Sequence, residues 1–391
     1  MLDQANELFQ QGILHYQNTE YQAALASWQQ ALHSYRNLKD RKREGAAWGN
    51  IGAVHEALLS PELAINCYQQ HLDISREIQD PKGEMNALIN LSNIYYNLGD
   101  YVNALEYQNQ RLDLARQFSD PRTEEQTLSV LGKIYLTQEK FELAINAYQQ
   151  QLILAKTNEN YQSQGNAFNH LKLIYEQLEQ WEQVELYTQQ HKAIFREFLI
   201  ENSGNILQQA ENIGLDPLFD FAGMDLSHLD FNYANLHGAN LEKTNLSYAN
   251  LTLADLSGAI LKEANLSYAI LTNANLRDAD LTGANLSEAD VRTKMPRANL
   301  SHANLTHANL MSAYLPYANL TQANLSQANL NYADLTGVKF QGVNLTMTSF
   351  SQAELKNVWV ENVDFTEAVG ISKRIKSDLV QRGAIFRENE D

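Results

Sequence analysis

The chain of 391 residues holds one cysteine, Cys67, so no intrachain disulfide can form. That usage fits a reducing compartment, and a cytoplasmic location is expected. No apolar run approaches the ~20 residues that a membrane-spanning helix needs. Residues 1–20 carry Asp3, Gln4, Asn6 and Glu7 where a secretory leader has a basic start and an apolar stretch. Neither secretion nor membrane insertion is expected. Basic charge is also scarce. The net formal charge is −18, of which −10 falls in residues 1–201 and −8 in 202–391. Without a basic domain to neutralise phosphates, nucleic acid is a disfavoured partner, and anionic lipid is repelled. The sequence also lacks a phosphate loop, a CxxC pair, a GxSxG elbow and any acid–base pair marking a cleft. No enzyme activity and no cofactor are expected. His302 and His307 are five residues apart in a five-residue repeat, which sets them on adjacent faces, so no metal site is expected there.

The sequence is rich in repetition instead. In the first half the period is forty residues: Ile51-Gly52, Leu91-Ser92, Leu131-Gly132 and Leu171-Lys172 share one register, as do Ala24, Ala64, Ala104 and Ala144. Apolar residues between these marks follow helical spacing, as in Trp48, Ile51, His55 and Leu58. Each unit reads as two antiparallel helices. Asp80-Pro81 and Asp120-Pro121 are helix starts, with Asp40 and Asn160 in the same register. The pattern Trp48-x-x-Ile51-Gly52-x-x-His55, with Ala64 and Tyr68 in the second helix, resembles the tetratricopeptide repeat. Five units cover 5–198. The resemblance implies an α solenoid, a superhelix whose first helices line a concave groove, and subfamilies with such AspPro joints bind extended peptides. On one such helix Asn86, Asn90, Asn93 and Asn97 share a face, while Leu88, Leu91, Tyr95 and Leu98 take the other. Asn50, Asn166 and Asn169 extend the stripe to neighbouring units. Carboxamides donate and accept, which suits pairing with a peptide main chain, and Lys133, Tyr96 and Glu56 would add selectivity. The stripe also fits a plain solvated face in an Asn- and Gln-rich chain.

In the second half the phrase AlaAsnLeu-x-x or AlaAspLeu-x-x recurs every five residues from Ala234. A period of five is neither helical nor that of a plain strand. The pattern resembles the pentapeptide-repeat family over 224–368. That implies a right-handed quadrilateral parallel β-helix with the central Leu and preceding Ala inward and four phrases per coil. Val291 and Leu300 lie nine residues apart rather than ten, so one phrase, centred on Met295, has lost a residue. About 29 phrases make a rod ~35 Å long. Tyr248 and Tyr268 should stack one coil apart. Arg292, Lys294 and Arg297 gather at the shortened phrase, either as a second surface or as solvated charges beside a tolerated deletion.

The expected organisation is a repeat array over 1–200, a connector and cap over 201–223, the β-helix over 224–369, and a capping helix and tail over 370–391. Ile206 to Phe221 should cap the first coil. Ser372 to Arg382 should form an amphipathic helix with Ile375 and Leu379 inward, ended by Gly383, and Phe386 should tuck against the last coil. The function expected is that of a non-enzymatic scaffold: the groove holds a protein or extended peptide, and the β-helix is a rigid spacer or second surface. The alternative is a DNA mimic acting on a topoisomerase or another DNA-binding protein. Only a modest acidic excess and the dominance of Leu at the centres argue against it.

Overall fold

The computed structural model describes residues 1–201 and 204–387, and the chain divides into two units, Met1–Gln190 and His191–Asp391. The division falls inside α10. The first unit is a run of helices: α1 (Leu2–Gln17), α2 (Tyr21–Asn37), α3 (Arg41–Ala57), α4 (Pro61–Glu77), α5 (Pro81–Asn97), α6 (Tyr101–Gln117), α7 (Pro121–Thr137), α8 (Phe141–Thr157), α9 (Tyr161–Gln177) and α10 (Trp181–Glu201). From α2 to α9 every helix holds 17 residues. The starts are where the sequence places them. Asp40, Asp80, Asp120 and Asn160 each accept a hydrogen bond from the third residue onward, the N–H of Arg43, Gly83, Thr123 and Ser163, at 3.1, 3.3, 3.0 and 3.2 Å. Each satisfies one of the amides that a helix start leaves unpaired.

Within a unit the two helices close over a small residue. A Cβ at Gly52 would lie 2.6 Å from the Tyr68 ring, one at Gly132 2.7 Å from Tyr148, and one at Gly12 2.4 Å from Trp28. Those rings are all but fully buried. The third and fifth units depart from the rule: Lys172 and Thr188 stand at these positions in the fifth, and in the third Ser92 replaces the glycine and Gln108 the ring, both wholly buried. Ser92 Oγ donates to the Ala104 carbonyl at 2.9 Å. Cys67 is buried in the packing, and burial pushes its thiol up to about 11. One expectation is corrected. Leu98 does not join Leu88, Leu91 and Tyr95 on the inner face. It is the C-cap of α5 and is 53% exposed, because the helix ends there and the chain turns through Gly99 at φ +78°.

The second unit is a parallel β-helix. Bridges join residues twenty apart, as in Asn245↔Asn265 and Asn265↔Asn285. Central residues and the alanines two before them fill the interior, and Leu236 to Leu286 and Leu300 to Leu335 are fully buried at every fifth position. Residues before the centre form ladders: Asn265 Nδ2 donates to Asn245 Oδ1, Asn285 to Asn265 and Asn304 to Asn285, at 3.1, 3.1 and 3.0 Å. Each of these oxygens also accepts the N–H two residues on. Asn therefore recurs because it can donate up the column and accept within its own turn. Across the shortened phrase the bridges become nineteen apart, as in Asn275↔Lys294, and then return to twenty. Met295 is wholly buried as its centre. The missing residue is the left-handed one. His228, Lys243, Glu263 and Glu288 occupy that turn position with positive φ, and no residue between Val291 and Met295 does.

Helix α11 (Ile206–Asn212) buries Ile206 and Ala210, and α12 (Lys373–Gln381) buries Leu379 fully and Ile375 partly. Gly383 follows at φ +91°, and Phe386 stacks on Phe365 with ring centres 5.5 Å apart. The Arg382 guanidinium donates to the Val358 and Leu355 carbonyls, which closes exposed strand ends.

Two substitutions test this packing. Leu276→Lys buries an unpaired charge and should unfold or aggregate the β-helix, whereas Asn275→Lys loses only ladder bonds worth about 1 kcal/mol each. Thermal melts of both variants check it, and equal melting temperatures would contradict the inward Leu. Gly132→Ala should destabilise the helical unit by about 1–3 kcal/mol through overpacking against Tyr148, read by urea titration.

Candidate functional site

The helical unit carries a groove of about 630 Å³ between α3 and α5. Its floor is α4, through Tyr68, His71, Ile74 and Ser75. Two glycines on α3, one turn apart, make room for that floor. A Cβ at Gly45 would meet Ile74 at 3.2 Å, and one at Gly49 would meet His71 Nδ1 at 2.8 Å. His71 is buried with Nδ1 unpartnered. Burial depresses its pKa, opposed by the nearby Asp80 carboxylate, so the neutral imidazole lies under the groove. Lys42 and Lys82 stand at the rim, and Lys42 Nζ lies 3.4 Å from Asp80.

Of the residues marked by the sequence, the groove brings together Asn50, Asn86 and Asn90. Among the described residues their side chains make no hydrogen bond, so their donors and acceptors are available. Asn93 and Asn97 are exposed on the same helix, beyond this cavity. Lys133 occupies the next unit's equivalent of Asn93, with Nζ 5.2 Å from the centre of the Tyr96 ring. Tyr96 also shares a hydrogen bond with Thr137 at 3.1 Å. Glu56 accepts one from Tyr68 at 2.9 Å, which ties it to the packing. Asn166 and Asn169 lie on α9, two units from the cavity. Asn166 repeats the register of Asn86, and Asn169 that of Ile89, which also lines the groove.

Sequence reading missed the floor. His71, Arg111 and Gln151 lie forty residues apart on successive second helices, and all three are buried. The available signal was their shared register, polar in four consecutive units with His191 included, at a position that packs inward.

On the β-helix the shortened phrase does not leave its arginines free. Arg292 makes paired bonds to Asp290 at 2.7 and 2.6 Å, and Arg297 to Asp278 at 2.7 and 2.5 Å. These guanidinium bonds hold both carboxyls below the usual range. Lys294 is exposed. Further cations punctuate the acidic residues, with Lys262 3.4 Å from Asp280 and Lys243 3.9 Å from both Glu242 and Glu263. The aromatic ladder is longer than expected. His228, Tyr248 and Tyr268 stack nearly parallel, with ring centres 4.8 and 4.7 Å apart.

Among the described residues no group of side chains is placed to hold a metal ion, and no helix is long and apolar enough to cross a membrane. A comparison with curated protein sequences gives no match. Among solved structures the chain is similar to HetL, a pentapeptide repeat protein involved in heterocyst differentiation regulation from the cyanobacterium Nostoc. Identity is 38% over 37% of this chain and 68% of that one, with a TM-score of 0.20. It is also similar to BtubC from P. vanneervenii, at 16% identity over 50% of this chain and 80% of that one, TM-score 0.44. A third similarity is to a signal transduction ATPase with a tetratricopeptide repeat sensor from Pyrococcus horikoshii. It is 18% identical over 54% of this chain with a TM-score of 0.45, and the chain spans only 31% of that protein's length. Family models for the tetratricopeptide repeat match residues 43–117 and 83–157, and those for pentapeptide repeats match 220–258, 259–293, 294–331 and 328–367. The chain is thus a tetratricopeptide-repeat array joined to a pentapeptide-repeat β-helix.

Proposed function

We propose that the protein is a non-enzymatic adaptor whose helical groove holds an extended segment of another protein. The observation that carries this is the groove's Asn50, Asn86 and Asn90, three carboxamides converging on one cavity without hydrogen-bond partners among the described residues. An extended peptide presents a donor and an acceptor at nearly every residue. Carboxamides spaced along the groove can meet both, whatever the side chains, so they supply affinity. Asn93, Asn97, Asn166 and Asn169 would continue the contact, and Lys133 beside Tyr96 would select among side chains. The β-helix serves as a rigid spacer. Its regular ladders satisfy its polar groups internally, and the pairing of Arg292 and Arg297 disfavours a second surface at those residues and at Lys294.

The double substitution Asn50→Ala with Asn90→Ala removes two such bonds. With a partner captured by the full chain from its native lysate, calorimetric titration should show binding weakened about ten- to thirty-fold, at ~1 kcal/mol per bond, and an unchanged melting temperature. If the double variant binds as tightly as the parent, the groove is not the binding site.

A further inference from the structure

The third helical unit is tied at its edges and unlocked in its middle. In the first, second and fourth units a buried ring fills the slot over a glycine, as Tyr68 does over Gly52, and fixes how the two helices cross. In the third, Ser92 and Gln108 hold that register, and one hydrogen bond, from Ser92 Oγ to the Ala104 carbonyl, stands in place of the interlock. Gln108 is wholly buried, and neither polar atom of its amide has a partner among the described residues. One turn on, Arg111 is buried with its Nε unpartnered. Buried polar groups without partners favour any conformation that lets water reach them. The apolar packing also divides along α6. Tyr107 and Leu114 pack with Leu88 and Leu91, whereas Leu105 and Leu112 pack with Leu128 and Leu131. The fifth unit does not share the fault, because Lys172 and Thr188 are only partly buried.

The edges remain connected. Arg76, at the end of α4, donates to Glu84 on α5 at 2.7 Å and to Gln110 on α6 at 2.8 Å. Arg116, at the end of α6, donates to Glu124 on α7 at 2.7 Å and to Gln150 on α8 at 3.0 Å. The turn inside the unit is also unlike the others. Where they place Thr19, Leu59, Glu139 and Glu179 with positive φ, the third has Gly99, and a Cβ there would meet nothing. Glycine is therefore not required for space, and what it adds is freedom to change φ and ψ at little cost. We propose that α5 and α6 form a hinge, a pair that opens and recloses while α1–α4 on one side and α7–α9 on the other move as rigid bodies. Because α5 carries Asn86 and Asn90 on the wall of the groove, this motion sets the groove's width. The hinge goes beyond the adaptor reading and does not depend on what the groove holds.

Hydrogen exchange on the full chain, read by mass spectrometry, tests it first. Amides in the middle of α5 and α6 should exchange about ten- to hundredfold faster than those of α3, α4, α7 and α8, the factor expected of an unsatisfied buried amide. The double variant Ser92→Gly with Gln108→Tyr rebuilds the interlock, and in it the difference should vanish. Gln108→Leu keeps the test decisive if that variant does not fold, since it removes the unpartnered amide at similar volume and should slow the same amides. Spin labels then separate a hinge from local fraying. Asn66 and Asn146 share an exposed register on α4 and α8, on either side of the third unit. Cys67 is buried with its thiol pushed up to about 11, so it escapes labelling. With Asn66→Cys and Asn146→Cys labelled, the distance distribution should be broad in the parent and narrow in the Gln108→Leu background. Protection of α5 and α6 equal to that of their neighbours, fast exchange that survives Gln108→Leu, or a distribution of the same width in both backgrounds would each overturn the hinge.

Discussion

A small side chain facing a large one, repeated at a fixed interval, is the constraint on which both halves depend. In the helical unit Gly12, Gly52 and Gly132 lie against the rings of Trp28, Tyr68 and Tyr148 so closely that a methyl group would collide. In the β-helix an alanine precedes most central leucines by two residues, and both are buried from coil to coil. Close packing leaves no alternative at such sites, since an interior at crystal-like density has no slack for another methyl group. Because each repeat contacts mainly its neighbours, one solution that works locally can be used again along the array.

This is why so much of the fold was legible in the sequence. Leu236 to Leu286 announce an interior by their spacing alone, and the nine-residue step from Val291 to Leu300 announces a lost residue that the bridges confirm. Asp40, Asp80, Asp120 and Asn160 mark helix starts because an unpaired amide at that point needs a short polar acceptor. The stacking of Tyr248 on Tyr268 follows from twenty residues per coil. The one misreading in the fold has a local cause. Leu98 fits the inward spacing of α5, but the helix stops before it can pack, and spacing does not report where a helix ends.

The groove was only half legible. Asn50, Asn86 and Asn90 could be seen as a polar face, since carboxamides at helical spacing are visible without coordinates. The floor could not. His71, Arg111 and Gln151 are polar residues on second helices, and polar residues there ordinarily face solvent. For His71 the room comes from Gly45 and Gly49 on α3, a contact between helices that a single-helix pattern does not contain.

The shortened phrase of the β-helix and the third helical unit both break the rule of their repeat, with opposite outcomes. In the β-helix the lost residue is repaired from within. Thr293 donates to the Ala274 carbonyl, Met295 fills the core, and Arg292 and Arg297 find Asp290 and Asp278. Every group that the deletion disturbs has an internal partner, so the break needs nothing from outside. In the helical array the exchange of glycine and ring for Ser92 and Gln108 is not repaired. It leaves the Gln108 amide buried without a hydrogen-bond partner among the described residues. Departures from a repeat that cost stability without internal compensation are where function is to be sought. By that criterion the third helical unit is a stronger candidate than the shortened phrase of the β-helix.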